Sequence, residues 1–163
     1  MSALLVSAIL MLIISIFMQK SSVVRIASSG IYGLYKSNIT GRLNIMRKEK
    51  LKKAREFEQE QLKRISPEER PCYHVTGGSG WINDPNGFSF YKDEYHLFYQ
   101  YHPYSNEWGP MHWGHVTSKD LITWERLPLA MVPEESYDNF GCFSGSGIEL
   151  PDGRHLLMYT GVG

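Results

Sequence analysis

Cysteine is scarce in this sequence. Cys72 and Cys142 are the only two, enough for one bridge at most, which excludes the disulfide framework of a small secreted domain. Cations are scarce in the body of the chain, where four Lys and Arg stand against eleven Asp and Glu from Pro71 onwards. Nucleic acid is therefore not the ligand of that part. There is no Gly-rich phosphate loop, no Gly-x-Ser-x-Gly elbow and no Cys-x-x-Cys pair, which removes the nucleotide, hydrolase and redox chemistries those motifs carry. No metal is expected either. His112 and His115 are three residues apart, and on a strand that spacing sends them to opposite faces. No cofactor is called for.

Long apolar runs are also lacking, with one exception. Ala3 to Met18 is sixteen residues without a charge. Three readings stand open for it. As a signal peptide it lacks a basic n-region and a nearby small-residue cleavage site. As a membrane anchor it is slightly short, and the ten Lys and Arg of residues 20–55, against Glu49 alone, would keep its C-terminal flank in the cytoplasm. As untranslated upstream sequence it would leave Met46 as the start. Asn38-Ile39-Thr40 fits a glycosylation acceptor only if the segment is exported from a eukaryotic cell. The missing n-region, the positive flank and the sparse cysteines all favour a cytoplasmic placement.

The chain divides into 1–45, a hydrophobic segment and basic linker; 46–70, a charged helix and turn; and 71–163, a β-rich body. Over Met46–Ile65 a loose apolar stripe (Leu51, Ala54, Phe57, Leu62, Ile65) and the pairs Glu49–Lys53 and Glu60–Arg64 predict a helix that docks on the domain behind it. Ser66-Pro67-Glu68-Glu69 opens a helix that Pro71 stops, so one turn is expected. Beyond Tyr73 the pattern is β. Strands over Gly87–Tyr91 and Glu94–Tyr101 flank Lys92-Asp93 as a hairpin, and Met111–Thr117 and a short stretch at Trp124 follow. Gly141–Leu150 and Arg154–Thr160 flank Pro151-Asp152-Gly153 as a second hairpin. Tyr95-His96-Leu97-Phe98-Tyr99 is echoed by His155-Leu156-Leu157-Met158-Tyr159, about 60 residues later. That period suits propeller blades better than a sandwich. With no closing element after Tyr159, the expectation is the first part of a longer all-β domain.

What the body has in abundance is aromatic surface: most of its 4 Trp, 10 Tyr and 7 Phe lie beyond residue 72. Among them stands Trp81-Ile82-Asn83-Asp84-Pro85-Asn86-Gly87. Asp-Pro-Asn-Gly on its own reads as a turn entering a hairpin. Its company points elsewhere. Asp84 as carboxylate, Asn83 and Gln100 as amides, and Trp81, Trp108, Trp113 and Phe143 as flat walls form a set suited to sugar, which offers apolar CH faces and directional hydroxyls. Trp113, Trp124 and most strand tyrosines are expected in the core. Trp108 lies in a loop, Ser105–Pro110, where a core role is less automatic. Glu134, Glu135 and Glu149 are read as solvated.

Five stretches in order carry a resemblance: Trp81 to Gly87, Phe98-Tyr99-Gln100-Tyr101-His102-Pro103, Trp108 to His115, Ser118-x-Asp120-Leu121-x-x-Trp124 and Phe143-Ser144-Gly145-Ser146. Together residues 70–163 resemble glycoside hydrolase family 32, the invertases and sucrose-6-phosphate hydrolases. The charged helix is similar to the lead-in of the bacterial sucrose-6-phosphate hydrolases. The resemblance implies a five-bladed β-propeller with a funnel-shaped site, followed by a β-sandwich, and a retaining β-fructofuranosidase. It implies Asp84 as nucleophile, with Asn83, Gln100, Trp108, Phe143 and Ser144 lining a fructose pocket beside Trp81. It also implies an acid/base glutamate before a cysteine and a stabilising aspartate in Arg-Asp-Pro. Neither string occurs in these 163 residues. The chain is thus expected to hold a nucleophile without its acid, acting on sucrose 6-phosphate or sucrose as part of a larger enzyme, or at most binding sugar. Nothing in the sequence sets an oligomeric state.

Overall fold

The computed structural model describes residues 22–29, 38–71 and 73–163. Along the chain come β1 (Ser22–Ser29), α1 (Asn38–Leu62), a 3-10 turn (Pro67–Glu69), β2 (Trp81–Tyr91), β3 (Glu94–His102), β4 (His112–Ser118), β5 (Glu125–Met131), β6 (Gly141–Glu149) and β7 (His155–Val162). The strands make two antiparallel sheets, ordered β2-β3-β4-β5 and β1-β7-β6.

Both expected hairpins are present. Lys92 and Asp93 have φ of 51° and 63°, the left-handed pair of a two-residue turn whose twist matches the flanking strands. The second reversal carries Gly153 at φ 78°. Three boundaries differ from the sequence reading. The helix begins at Asn38, eight residues before Met46, because no proline or glycine run interrupts the approach except Gly41, which a helix tolerates at modest cost. A strand, β1, lies within the supposed linker and pairs with β7 from Ser22↔Val162 to Ser29↔His155. β2 starts at Trp81, so Asp-Pro-Asn-Gly lies inside a strand and reverses nothing. The apolar run Ala3 to Met18 falls outside the described residues. Among those described, no helix is long and apolar enough to cross a membrane.

The layers follow from alternation along β3. Tyr99 and Tyr101 point to one face of the four-stranded sheet, where they pack with Val116, Leu129, Val132 and Ala54 of α1. Phe98 points to the other, packing with Trp113 against Cys142, Leu157 and Tyr159 of the second sheet. β3 is therefore covered on both faces. The helix docks as its stripe predicted: Arg55 Nε donates to the Leu129 carbonyl at 2.8 Å, and buried Glu58 accepts from the Leu129 N–H at 3.4 Å. Lys53–Glu49 at 2.8 Å and Arg64–Glu60 at 3.8 Å form on its exposed side, where solvent leaves such pairs little net effect. The single turn after Ser66 is held by the Ser66 N–H donating to Glu69 Oε2 at 2.8 Å.

Candidate active site

Asp84 and Ser144 each sit where strand register breaks. β2 pairs Ile82↔Tyr101 and next Pro85↔Tyr99, so Asn83 and Asp84 bulge out opposite a single residue. Proline explains the break, since it has no N–H for the ladder and holds the residue before it extended. A second irregularity follows between Asn86 and Ser89, with Gly87 at φ 58°. The turn-forming residues thus absorb two bulges instead of reversing the chain. On β6 the register passes from Phe143↔Thr160 to Gly145↔Tyr159, leaving Ser144 unpaired in a bulge of its own. Only glycine fits after it: a Cβ on Gly145 would coincide with the Met158 carbonyl oxygen. Bulges re-aim side chains, and these two bring Ser144 Oγ to donate to Asp84 Oδ2 at 3.4 Å across 60 residues of sequence. Both residues are exposed.

The other expected residues gather round this pair. Trp81 Nε1 donates to Asn83 Oδ1 at 2.8 Å, which fixes that amide and leaves its NH2 as the donor toward a ligand. Trp108, 53% exposed, meets Phe143 edge-on with ring centroids 6.2 Å apart. Asn83 and Phe143 are the chain neighbours of Asp84 and Ser144, so these contacts join into one patch. Gln100 is buried behind the patch, and one hydrogen of its Nε2 goes to the Cys142 carbonyl at 3.0 Å. Trp113 shares that carbonyl at 3.1 Å and is fully buried, as expected of a core residue.

Several polar groups were not legible from the sequence. Asn86, in the same heptapeptide, is buried, and its Oδ1 has no partner among the described residues. His96, His115 and His155 converge between the sheets. His96 Nδ1 and His115 Nε2 are 2.9 Å apart, and His155 Nε2 lies 2.8 Å from Ser89 Oγ. Burial pushes the His115 imidazole down to about 3, helped by its His96, His155 and Arg55 neighbours, and pushes His155 to about 4. His112 lies on the opposite face of β4 near His102 and Tyr104, and burial holds it at about 4. No group of His, Cys, Asp or Glu among the described residues could hold a metal. Glu134 and Glu135 are half-buried, not solvated: Asp138 Oδ1 takes both their backbone N–H groups and draws the segment inward. Glu149 is exposed.

An exposed carboxylate beside a hydroxyl, an amide and two aromatic rings can bind and attack a sugar carbon. It cannot alone protonate a leaving group. Known proteins are similar to this chain. The chain is 55% identical over 97 residues to a sucrose-6-phosphate hydrolase of Zymomonas mobilis, covering 60% of this chain and 19% of that protein. It is 60% identical over 79 residues to a levanase of Bacillus subtilis, covering 48% and 11%. It therefore spans about a fifth or less of the length of these relatives. Among solved structures, a variant of a Bombyx mori β-fructofuranosidase in complex with sucrose matches at 46% identity and TM-score 0.57, covering 64% of this chain and 22% of that one. A sucrose-6-phosphate hydrolase from Lactobacillus gasseri matches at 41% identity with the same TM-score, covering 67% and 22%. The model of the glycosyl hydrolases family 32 N-terminal domain matches residues 74–163, from the loop before β2 to the last residue. On that match, which takes in both bulges and every residue of the patch, the chain belongs to glycosyl hydrolase family 32.

Proposed function

We propose that this chain is the N-terminal part of a retaining β-fructofuranosidase in which Asp84 is the nucleophile. The observation that carries the reading is the Ser144–Asp84 contact made by two bulges, with Trp81–Asn83 and Trp108–Phe143 around it. In this reading Asp84 Oδ attacks the anomeric carbon of a fructosyl unit, the glycosidic C–O bond breaks, and water later hydrolyses the covalent fructosyl-enzyme. Ser144 orients the carboxylate, Asn83 donates to a sugar hydroxyl, and Trp108 and Phe143 cover the apolar face. A retaining mechanism needs a second carboxyl group roughly 5–5.5 Å away to protonate the leaving oxygen. That acid and the stabilising aspartate come from outside these 163 residues, and the two sheets are the first blade and part of the second blade of a five-bladed propeller.

The substrate is sucrose 6-phosphate or sucrose. The phosphorylated sugar is favoured by the likeness to sucrose-6-phosphate hydrolases and by a cytoplasmic placement, where an imported phosphorylated disaccharide would be met. Expressed by itself, the chain would not turn over either sugar. A second reading, that it only binds sugar, is favoured by the same lack of an acid. One experiment separates the two. In the natural protein containing this chain, Asp84→Ala abolishes hydrolysis of both sugars while the thermal midpoint changes little. A variant that keeps more than a few per cent of activity rejects Asp84, and a parent protein inactive on both sugars leaves only binding. Fractionation of cells expressing the native gene tests the placement, and activity in the medium would overturn it.

A further inference from the structure

The residue that joins the two halves of the site is one the sequence assigns to the core. Trp113 on β4 is fully buried and touches both strands that carry the Asp84–Ser144 pair. Toward β6, its indole N–H donates to the Cys142 carbonyl at 3.1 Å, two residues before Ser144. The same carbonyl accepts from Gln100, the partner of Trp113 across β3 and β4. The Cys142 N–H in turn donates to the Met111 carbonyl at 2.8 Å. The start of β6 is thus fastened by three hydrogen bonds, one each to β3, β4 and the residue just before β4. Toward β2, the Trp113 ring lies under Gly87, three residues after Asp84. A Cβ there would come within 3.0 Å of Trp113 Cζ3 and 2.7 Å of Phe98. β2 rests on the indole because Gly87 has no side chain. Further along, a Cβ on Gly147 of β6 would meet the Gly87 carbonyl at 2.8 Å, so the two strands run in close approach over this ring. Tyr159 of β7 closes the far side, with ring centroids 6.4 Å apart.

We propose that Trp113 is a positioning residue for the Asp84–Ser144 pair, setting the separation of β2 and β6 with one rigid side chain. The ring fixes how near β2 can come, and the N–H fixes where β6 begins. Phenylalanine would keep most of the ring and lose the second function. A bulge is poorly restrained by its own ladder, so Ser144 depends on the anchored Cys142 carbonyl for its place. The proposal rests on the reading of Asp84 as nucleophile, and its test is built to fail separately from it.

In the natural protein, Trp113→Phe lowers kcat on sucrose about five- to tenfold, the size of one lost buried hydrogen bond, while KM changes less than twofold. Ser144→Ala gives a similar loss, and the double variant is no worse than the poorer single, because both act on one contact. Trp124→Phe, an indole partly buried on the helix side, lowers the thermal midpoint without this split and serves as the control for a structural effect. Additive losses, or an unchanged kcat in Trp113→Phe, overturn the proposal. If Trp113→Phe does not fold, Trp113→Tyr, which also lacks the indole donor, takes its place in the cycle. If the parent protein proves inactive, turnover is replaced by amide 1H–15N shifts. Trp113→Phe then moves the Ser144 and Gly145 amides and Trp124→Phe does not, and equal shifts in both variants overturn the proposal.

Discussion

Acidification should loosen the packing between the two sheets through His96, His115 and His155. The three imidazoles come from β3, β4 and β7, and the groups facing them are Ser89 and Tyr91 of β2, Glu94 of β3 and Arg55 of α1. Of these the Tyr91 carbonyl and then Glu94 favour a charged imidazole, both at His96. His115 is held at about 3 when folded against an ordinary value of 6.5, by burial first and then by its cationic neighbours. A depressed histidine leaves the unfolded chain binding more protons below pH 6.5, so stability is complete above that pH and falls as pH drops toward the folded value. At about 1.36 kcal/mol per pH unit, His115 alone withdraws roughly 2 kcal/mol between pH 6.5 and 5. His155, held at about 4 under a thinner cover though its surface is almost wholly hidden, adds about 1 kcal/mol, and His112 on the other face adds up to roughly 2. The histidines repel one another once charged, so these contributions overlap and are read as one combined loss. Urea unfolding at pH 7, 6, 5.5 and 5 measures it. His115→Gln should cost about 1 kcal/mol at pH 7, from the weakened contact with His96, and reduce the pH slope by about one proton. A flat profile between pH 7 and 5, or a slope unchanged in His115→Gln, would refute the reasoning.

Other expectations are simpler to check. Gly145→Ala drives a Cβ into the Met158 carbonyl oxygen, so chemical denaturation should show a loss of about 2 kcal/mol or more, and sugar hydrolysis by the natural protein should fall with it. Glu58→Ala leaves the Leu129 N–H without its partner beneath α1 and should cost about 2 kcal/mol, with Glu58→Gln recovering most of it. Arg126→Met frees the Thr76 carbonyl that its Nη2 holds and leaves the Gly77 carbonyl to Arg70 alone. Hydrogen exchange should then quicken in the loop leading to Trp81, and unchanged exchange would deny the arginine that role.

Local chemistry carried much of this protein in legible form. Lys92-Asp93 between two aromatic alternations could only be a tight turn, and the stripe Leu51–Ala54 with its i,i+4 pairs announced a docked helix, because both depend on neighbours within a few residues. The heptapeptide around Asp84 and the ring of Phe143 were likewise readable as chemistry: carboxylate, amide and flat rings, with Ser144 added by the family resemblance. What sequence could not decide was distance. The same Asp-Pro-Asn-Gly that favours a turn in isolation becomes a bulge once β3 pairs with the chain on both sides of it. Gln100 was legible as an amide, but only β6 supplied the Cys142 carbonyl that one of its hydrogens meets. Trp113 looked like filling, yet only the packed sheets put one indole under Gly87 and beside Cys142 at once. The histidines, far apart in the chain, acquired their depressed values from the meeting of three strands. Residue type and local propensity determine which groups are present and which elements form; the pairing of distant strands and exclusion of water between them decide which groups meet, because those energies exist only after the chain has closed on itself.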